Sequence, residues 1–296
     1  MVLSLPFELI EAIIDAVADT DDHKTLSTCS LTCPLFVTLC QKHIFHTIRL
    51  EDTPIPHVLA RRISRLEEIS RTSPWIADYI QHVQCVSRTL TREDSSTRHW
   101  PSTESAALPT IALFGRLTKV HTVLIENIGV FTEEKWDFPD VQAALCRLIY
   151  LPTIEWLLLK FVDNFSPVNV IQCVNLKHLS LRMVSFRKSA VHTQDFSSPQ
   201  TTHLDTLSLD HQSATALLQM MKDFTRSIGD TPIIDFRKIK TTTLLLDRFM
   251  FNELGFVELL QQLEWMETLR VYISPSMSNY YLPGPMLFLT FFFFPK

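Results

Sequence analysis

The densest group of side chains able to do chemistry is a run of cysteines and histidines near the N-terminus: Cys29, Cys33, Cys40, His43 and His46. Thiolates and imidazoles are the ligands that zinc prefers, so a metal site is the first chemistry to consider. Structural zinc sites, however, use tight pairs such as Cys-x-x-Cys held on turns. Here the three cysteines recur at the spacing of apolar helix positions. The sequence therefore predicts cysteines that pack inside helices as small hydrophobic residues, with no metal and no cofactor.

Motifs that assemble a catalytic or nucleotide-binding site are missing from the sequence. It contains no Gly-x-Ser-x-Gly elbow, no His-Glu-x-x-His motif and no glycine-rich phosphate loop. Glycine is scarce, with 5 among 296 residues, whereas such loops need several glycines close together. Scattered nucleophiles can still converge in a fold, so a hidden enzyme stays open as an alternative. The prediction is a protein that is not an enzyme.

Composition and charge narrow the class of partner. A content of 46% hydrophobic and 20% charged residues is typical of a chain that buries a sizeable core. The net charge of -5 lacks the basic footprint of nucleic-acid binders, so no nucleic-acid partner is predicted. The segment Met1–Val17 has no basic residue and is unlike a secretory signal. Together with cysteines in apolar stretches, this predicts an intracellular protein, cytoplasmic or nuclear.

The first fifty residues are predicted to form three short helices and a brief strand. Pro6 suits the first turn of a helix, and an apolar stripe at helical spacing follows through 9–17. Thr20, Asp21 and Asp22 supply caps for a second helix, and Pro34 ends it and opens a third. Residues 47–50 form the strand. Helices this short bury too little surface to be stable alone, so they need a partner or a neighbouring domain.

Two motifs in this segment resemble the F-box. The run Leu-Pro-Phe-Glu-Leu at 5–9 is similar to the opening of that family, and Cys-Ser-Leu-x-Cys at 29–33 follows at the family's spacing. Both motifs are most similar to those of F-box-like proteins of the fungal type. The resemblance covers about Ser4–Ile48, with Phe36 where the family usually has tryptophan and Pro34 where a polar residue is common.

The resemblance implies docking on the Skp-type adaptor of a cullin-RING ubiquitin ligase and, through it, on a cullin. The side chains assigned to this contact are apolar and lie along the three helices: Leu5, Pro6, Leu9, Ile13, Leu26, Leu31 and Phe36. Packing inside the three-helix unit is the alternative for each, and for Ile13 and Leu26 the two roles stay equally open. Leu5 and Pro6 are the stronger candidates, because an exposed apolar pair at a helix start is hard to explain by internal packing.

Beyond residue 53 the pattern of the chain changes. The segment 54–72 is predicted as an amphipathic linker helix. Seven short runs of the form apolar-x-x-apolar-x-apolar follow, several of them separated by helix-compatible segments. The runs begin at Ile80, Val120, Ile154, Leu176, Leu204, Thr241 and Met266. Alternating strands and helices predict parallel strands joined by crossover helices.

This repetition resembles leucine-rich repeats. The regular asparagine or cysteine is replaced by Ile128, Val162, Val184 and Phe249, so we expect apolar packing at those positions. The predicted fold class is an α-helical three-helix F-box followed by an irregular α/β leucine-rich-repeat-like solenoid. The predicted domains are an F-box-like domain at 1–50, a linker helix at 51–75 and a degenerate leucine-rich-repeat-like substrate-binding domain at 76–296.

The segment 286–294 is nearly all apolar. It is too short to span a bilayer, which needs about 20 residues, so a buried strand, or a chain end that has lost its natural continuation, is predicted rather than a membrane anchor. No membrane partner is expected.

These observations predict a non-catalytic substrate receptor of a Skp-cullin-F-box ubiquitin ligase. The F-box would dock on the Skp-type adaptor, and the repeats would hold an unknown protein target near the conjugating enzyme. The alternative is a solenoid interaction scaffold that no longer engages a ligase. The departures from the F-box pattern at Pro34 and Phe36 favour this alternative.

Overall fold

The computed structural model describes residues 6–20, 22–53, 55, 57–87, 100, 104–130, 139–187, 201–228, 234–247, 254–274 and 287–292. Within these ranges the helices are α1 (Phe7–Asp19), α2 (His23–Thr32), α3 (Pro34–Ile44), α4 (Val58–Thr72), α5 (Trp75–Tyr79), α6 (Glu104–Arg116), α7 (Pro139–Ile149), α8 (Pro167–Ile171), α9 (His211–Ile228) and α10 (Leu254–Gln262). The strands are β1 (Thr47–Asp52), β2 (His82–Ser87), β3 (Thr122–Val130), β4 (Trp156–Phe165), β5 (His178–Phe186), β6 (Thr206–Asp210), β7 (Thr241–Asp247), β8 (Thr268–Ser274) and β9 (Leu287–Phe292).

One sheet contains all nine of these strands, and their spatial order follows the chain from β1 to β9. Strands β1 to β8 run parallel to their neighbours, whereas β9 is antiparallel to β8. Each apolar run predicted from the sequence has its last two apolar positions in a strand, from β2 to β8. The helix predicted at 54–72 is present as α4.

The predicted fold class, an α-helical three-helix F-box followed by an irregular α/β leucine-rich-repeat-like solenoid, is wrong. The chain is an α/β fold with a nine-stranded, mostly parallel sheet. Strand β1, which the sequence analysis placed at the end of the helical segment, pairs with β2 along its whole length. The reason is the alternation of Ile48 and Leu50, which are buried in the same core as Val83 on β2.

Helices cover one face of the sheet. Alternate strand positions point into a single core shared with α4, α6, α7 and α9. One row of that core crosses five strands in register: Val83, Val123, Leu157, Leu179 and Leu207. Side chains at the intervening positions of β3 to β8 stay at least partly exposed along most of their length. Parallel sheets usually have both faces covered, so this open face is the unusual feature of the fold.

Three strands share a local backbone irregularity, which is followed in each strand by a buried core residue. Asn127, Phe161 and Met183, on β3, β4 and β5, adopt left-handed backbone conformations. The residue after each is fully buried: Ile128, Val162 and Val184. The expected apolar packing is confirmed at these three positions, while Phe249 lies outside the described residues.

Helices α1 to α3 form a second, smaller core around Ile14, Leu26 and Cys40. Their ends follow from local chemistry. The carboxylate of Asp22 accepts a hydrogen bond from the backbone N–H of Thr25, 3.0 Å away, and so caps α2. Proline at the first position of α3 costs no hydrogen bond there.

The described part of the apolar segment near the C-terminus forms strand β9, and the alternative of a buried strand is wrong. Leu289, Phe291 and Phe292 are 39%, 46% and 73% exposed. The physical reason is position: among the described strands, β9 is the last in the sheet and pairs with β8 alone. Among the described helices, none combines the length and apolar character needed to cross a membrane.

Candidate protein-interaction surfaces

Helix α1 carries apolar side chains on two faces. Ile14 is buried in the small core, and Val17 packs partly against it one turn later. Leu9 and Ile13, also one turn apart, lie on another face and are 51% and 52% exposed. The helix therefore buries one apolar stripe and presents a second one to solvent.

The junction of α2 and α3 adds further exposed apolar side chains. Leu31, in the last turn of α2, is 86% exposed, and Leu35, in the first turn of α3, is 47% exposed. With three residues of α1 they make up the exposed apolar group of the helical unit: Phe7, Leu9, Ile13, Leu31 and Leu35. A concentration of this kind is typical of a surface that contacts another protein.

The residues predicted for the adaptor contact divide into surface and interior positions. Pro6, Leu9, Ile13 and Leu31 are exposed, and Pro6 is the residue that caps the start of α1. The other described members of the set, Leu26 and Phe36, face the interior: Leu26 is 1% exposed and Phe36 packs partly against the small core. Leu5 lies outside the described residues.

Two exposed side chains of this group, Phe7 and Leu35, were missed by the sequence analysis. Both stand in the first turn of a helix, where few residues of the same helix are available to cover them. That position, combined with an apolar side chain, is the signal that would have identified them.

The cysteines and histidines considered for zinc have separate environments. Cys40 is buried in the small core, and burial, with a smaller contribution from Cys29, raises the pKa of its thiol. His43 Nε2 lies 2.7 Å from an Asp15 carboxylate oxygen, and His46 Nε2 lies 3.2 Å from the amide oxygen of Gln81. Within the described residues, no group of three His, Cys, Asp or Glu side chains is arranged to hold a metal ion.

The sheet buries two further thiols. Burial raises the pKa of Cys173 to about 12, with a smaller contribution from Cys146, and burial also raises the pKa of Cys85. Both therefore stay protonated at neutral pH, and a protonated buried thiol is a poor nucleophile. These cysteines serve as packing residues of the core.

The open face of the sheet carries two adjacent rows of side chains. Strand pairing places Leu158, Ser180, Ser208, Thr243 and Arg270 side by side from β4 to β8. The neighbouring row, two residues earlier on each strand, contains Trp156, His178, Thr206 and Thr241. The two rows line a cavity of about 270 Å³.

The aromatic end of this open-face cavity is built from two stacked rings. The indole of Trp156, which is 43% exposed, lies with its centroid 3.6 Å from the imidazole of His178. Nδ1 of His178 is 2.6 Å from the hydroxyl oxygen of Thr206. Partial burial lowers the pKa of His178, and nearby Asp205 opposes this effect. The imidazole is thus held in place on both sides.

The opposite end of the cavity is cationic. Arg270 is exposed, and among the described residues that line the cavity it is the only one with a permanent charge. The charged residues at the strand starts nearby are paired with each other. Lys177 Nζ lies 2.6 Å from a Glu155 carboxylate oxygen, and Lys240 Nζ lies 3.2 Å from one of Asp205. Within the described residues, Arg270 takes part in no ion pair.

No family model matches the sequence. No curated protein matches it significantly.

Proposed function

We propose that this protein is a non-catalytic substrate receptor of a Skp-cullin-F-box ubiquitin ligase inside the cell. Helices α1 to α3 dock on the Skp-type adaptor, which links the receptor to a cullin. The open face of the sheet holds the target protein. The receptor contributes position rather than a chemical group, because it raises the concentration of target lysines near the conjugating enzyme.

The observation that supports the docking surface is the second apolar stripe of α1. Leu9 and Ile13 are about half exposed, although Ile14, the residue after Ile13, is buried in the small core. Full burial of a fully exposed leucine or isoleucine contributes about 1.5 to 3 kcal/mol, so covering each of these half-exposed side chains contributes about half of that. Leu31, still more exposed, adds a third side chain with the same potential. A protein partner is the simplest cover for all three.

The motif resemblance then selects the partner. The Leu-Pro-Phe-Glu-Leu run at 5–9 opens the helix that carries the exposed stripe, and the Cys-Ser-Leu-x-Cys run at 29–33 contains Leu31. Both runs that resemble the F-box thus include exposed apolar side chains, Leu9 in the first and Leu31 in the second. This coincidence favours the Skp-type adaptor over an unrelated partner.

The test is co-elution of the full-length protein with a purified Skp-type adaptor and a cullin fragment at micromolar concentration. We expect a ternary complex with the wild type, and a loss of affinity of about ten-fold or more for Ile13→Ala with Leu31→Ala. Leu108→Ala is the matched control, because Leu108 on α6 is 77% exposed but lies outside the helical unit.

Two outcomes would contradict the proposal in different ways. A folded wild type that does not bind the adaptor would favour a protein-interaction scaffold that does not engage a ligase. Full binding by the double variant would show that the adaptor contacts another surface. Circular dichroism of each variant establishes that the helices are intact.

A further inference from the structure

The open-face cavity changes its chemical character from one end to the other. Trp156 and Leu158 on β4 provide an apolar end, and Arg270 on β8 provides a cationic end. Hydroxyl groups of β5, β6 and β7 lie between them: Ser180, Ser208, Thr241 and Thr243. A surface with this order favours a ligand that has an apolar group and an anionic group at a defined separation.

Three polar side chains toward the cationic end of the cavity have no partner among the described residues. Arg270 has no ion pair there, and neither Thr243, on the neighbouring strand, nor Ser208, one strand further, has a side-chain hydrogen bond. Covering them with an apolar or basic surface would leave a buried cation and several donors unpaired, which is costly. An anionic group with several acceptor atoms satisfies them, and a carboxylate matches the planar guanidinium with two parallel hydrogen bonds.

We infer that the open face between β4 and β8 binds an extended segment of a partner protein that carries an acidic side chain and, some residues away, an apolar one. The carboxylate pairs with Arg270 beside Thr243. The apolar side chain lies against Trp156 and Leu158. This inference rests on the proposed function only in taking the open face as the surface that holds the target.

Sheet geometry sets the separation of the two side chains. Neighbouring strands lie about 4.8 Å apart, so the four intervals from β4 to β8 span at most about 20 Å. An extended chain covers that distance in about six residues. Separations of about six residues or fewer therefore fit the cavity.

The test uses short fluorescein-labelled peptides and fluorescence anisotropy with the full-length protein, in the absence of the adaptor. Each peptide carries one leucine and one glutamate separated by about two to seven neutral residues. Matched peptides have glutamine or phosphoserine in place of glutamate. We expect saturable binding of at least one glutamate peptide, with the glutamine version about ten-fold weaker.

Variants of the protein test which part of the peptide binds at the apolar end of the cavity and which part binds at the cationic end. Arg270→Gln should abolish the preference for glutamate over glutamine, and Trp156→Ala should weaken both peptides to the same extent. Arg147→Gln, at an exposed arginine on α7, and Trp75→Ala, at an exposed tryptophan on α5, are the matched controls and should bind as the wild type does. Because the adaptor is absent, these results are independent of whether the helical unit engages a ligase.

Several outcomes would overturn the inference. If no peptide of the panel binds to the folded protein, or if glutamate and glutamine peptides bind equally, the cavity does not select a carboxylate. Binding of the phosphoserine peptides alone would assign the cavity to a phosphate group instead. Equal binding of a single-stranded oligonucleotide of the same length would show a general attraction for anions and no protein site.

Discussion

His178 and Trp156 form a stacked pair in which the ring centroids are 3.6 Å apart and the planes are inclined by 22°. The pair joins β4 to β5 on the open face, where the indole forms the apolar end of the cavity. Because the rings are in contact, a change in the charge of the imidazole alters the electrostatic environment of the indole ring. This contact makes the occupancy and protonation of the cavity measurable by fluorescence.

Acidification is expected to quench the fluorescence of Trp156 when His178 becomes protonated. Partial burial lowers the pKa of His178, Asp205 and Glu155 oppose this effect, and Lys177 adds to it. The midpoint should thus fall below the ordinary histidine value of about 6.5. A pH titration of tryptophan emission measures it, and His178→Gln should abolish the transition while Trp75→Phe leaves it in place. A midpoint above the ordinary value would contradict the expected effect of burial.

Stability should decrease when the pH falls through the histidine range, with His82 as one cause. Burial lowers the pKa of His82, and His46 and His121 add to the effect. The unfolded chain then binds the proton more readily than the folded one, so stability is complete above about pH 6.5 and is lost as the pH decreases toward the lower folded-state pKa. Urea denaturation at pH values of about 7.5 and 5.5 measures this loss.

The variant His82→Gln should reduce this loss of stability at low pH. The exposed His203 provides the matched control for loss of an imidazole, and His203→Gln should change stability at a pH of about 7.5 by less than about 0.5 kcal/mol. An unchanged pH dependence in the His82 variant would show that another group, such as His178, accounts for the whole effect.

Much of the sheet could be predicted from the sequence, because each strand carries its own apolar alternation. The seven runs from Ile80 to Val271 needed no knowledge of their neighbours to be recognised. The pairing of β1 with β2 could not be predicted, because the alternation of Ile48 and Leu50 does not by itself show which strand lies beside them. The exposure of β9 was missed for a similar reason, since an apolar strand does not reveal whether it lies at an edge.

Prediction from the sequence has the same limit for single side chains of the candidate sites. Leu26 and Leu31 were both assigned to the adaptor contact, with internal packing equally open for Leu26, yet five residues of helix turn them about 140° apart. This geometry was available from the sequence and would have separated the buried residue from the exposed one. The row from Leu158 to Arg270 was not predictable, because its members are brought together only by the register of five strands.

Alanine substitutions at these two leucines should differ sharply in their effect on stability. Leu26→Ala removes a side chain from the centre of the small core and should destabilise the helical unit by about 2 to 5 kcal/mol. Leu31→Ala should change stability by less than about 0.5 kcal/mol, because its side chain is 86% exposed. Hydrogen exchange of helices α1 to α3 measures both values, and an equal loss of protection would contradict the described packing.

The buried carboxylate of Asp210 is expected to be a strong stability determinant of the sheet. One oxygen accepts a hydrogen bond from the backbone N–H of Ser213 in the first turn of α9, 2.8 Å away, and the other accepts from the N–H of Met183. Asp210→Ala removes the helix cap and leaves a backbone donor of β5 without its acceptor. We expect a loss of about 2 to 4 kcal/mol, measured by urea denaturation.

Asp210→Asn keeps an acceptor oxygen for one of the two donors, so its loss should be intermediate. The control is Asp163→Ala, because that exposed carboxylate accepts only a side-chain hydrogen bond among those described, from Ser185 at 3.1 Å. Its substitution should cost less than about 0.5 kcal/mol. Equal losses of stability in Asp210→Ala and Asp163→Ala would contradict this prediction. They would show that the contacts of Asp210 with β5 and α9 do not stabilise the packing of α9 on the sheet.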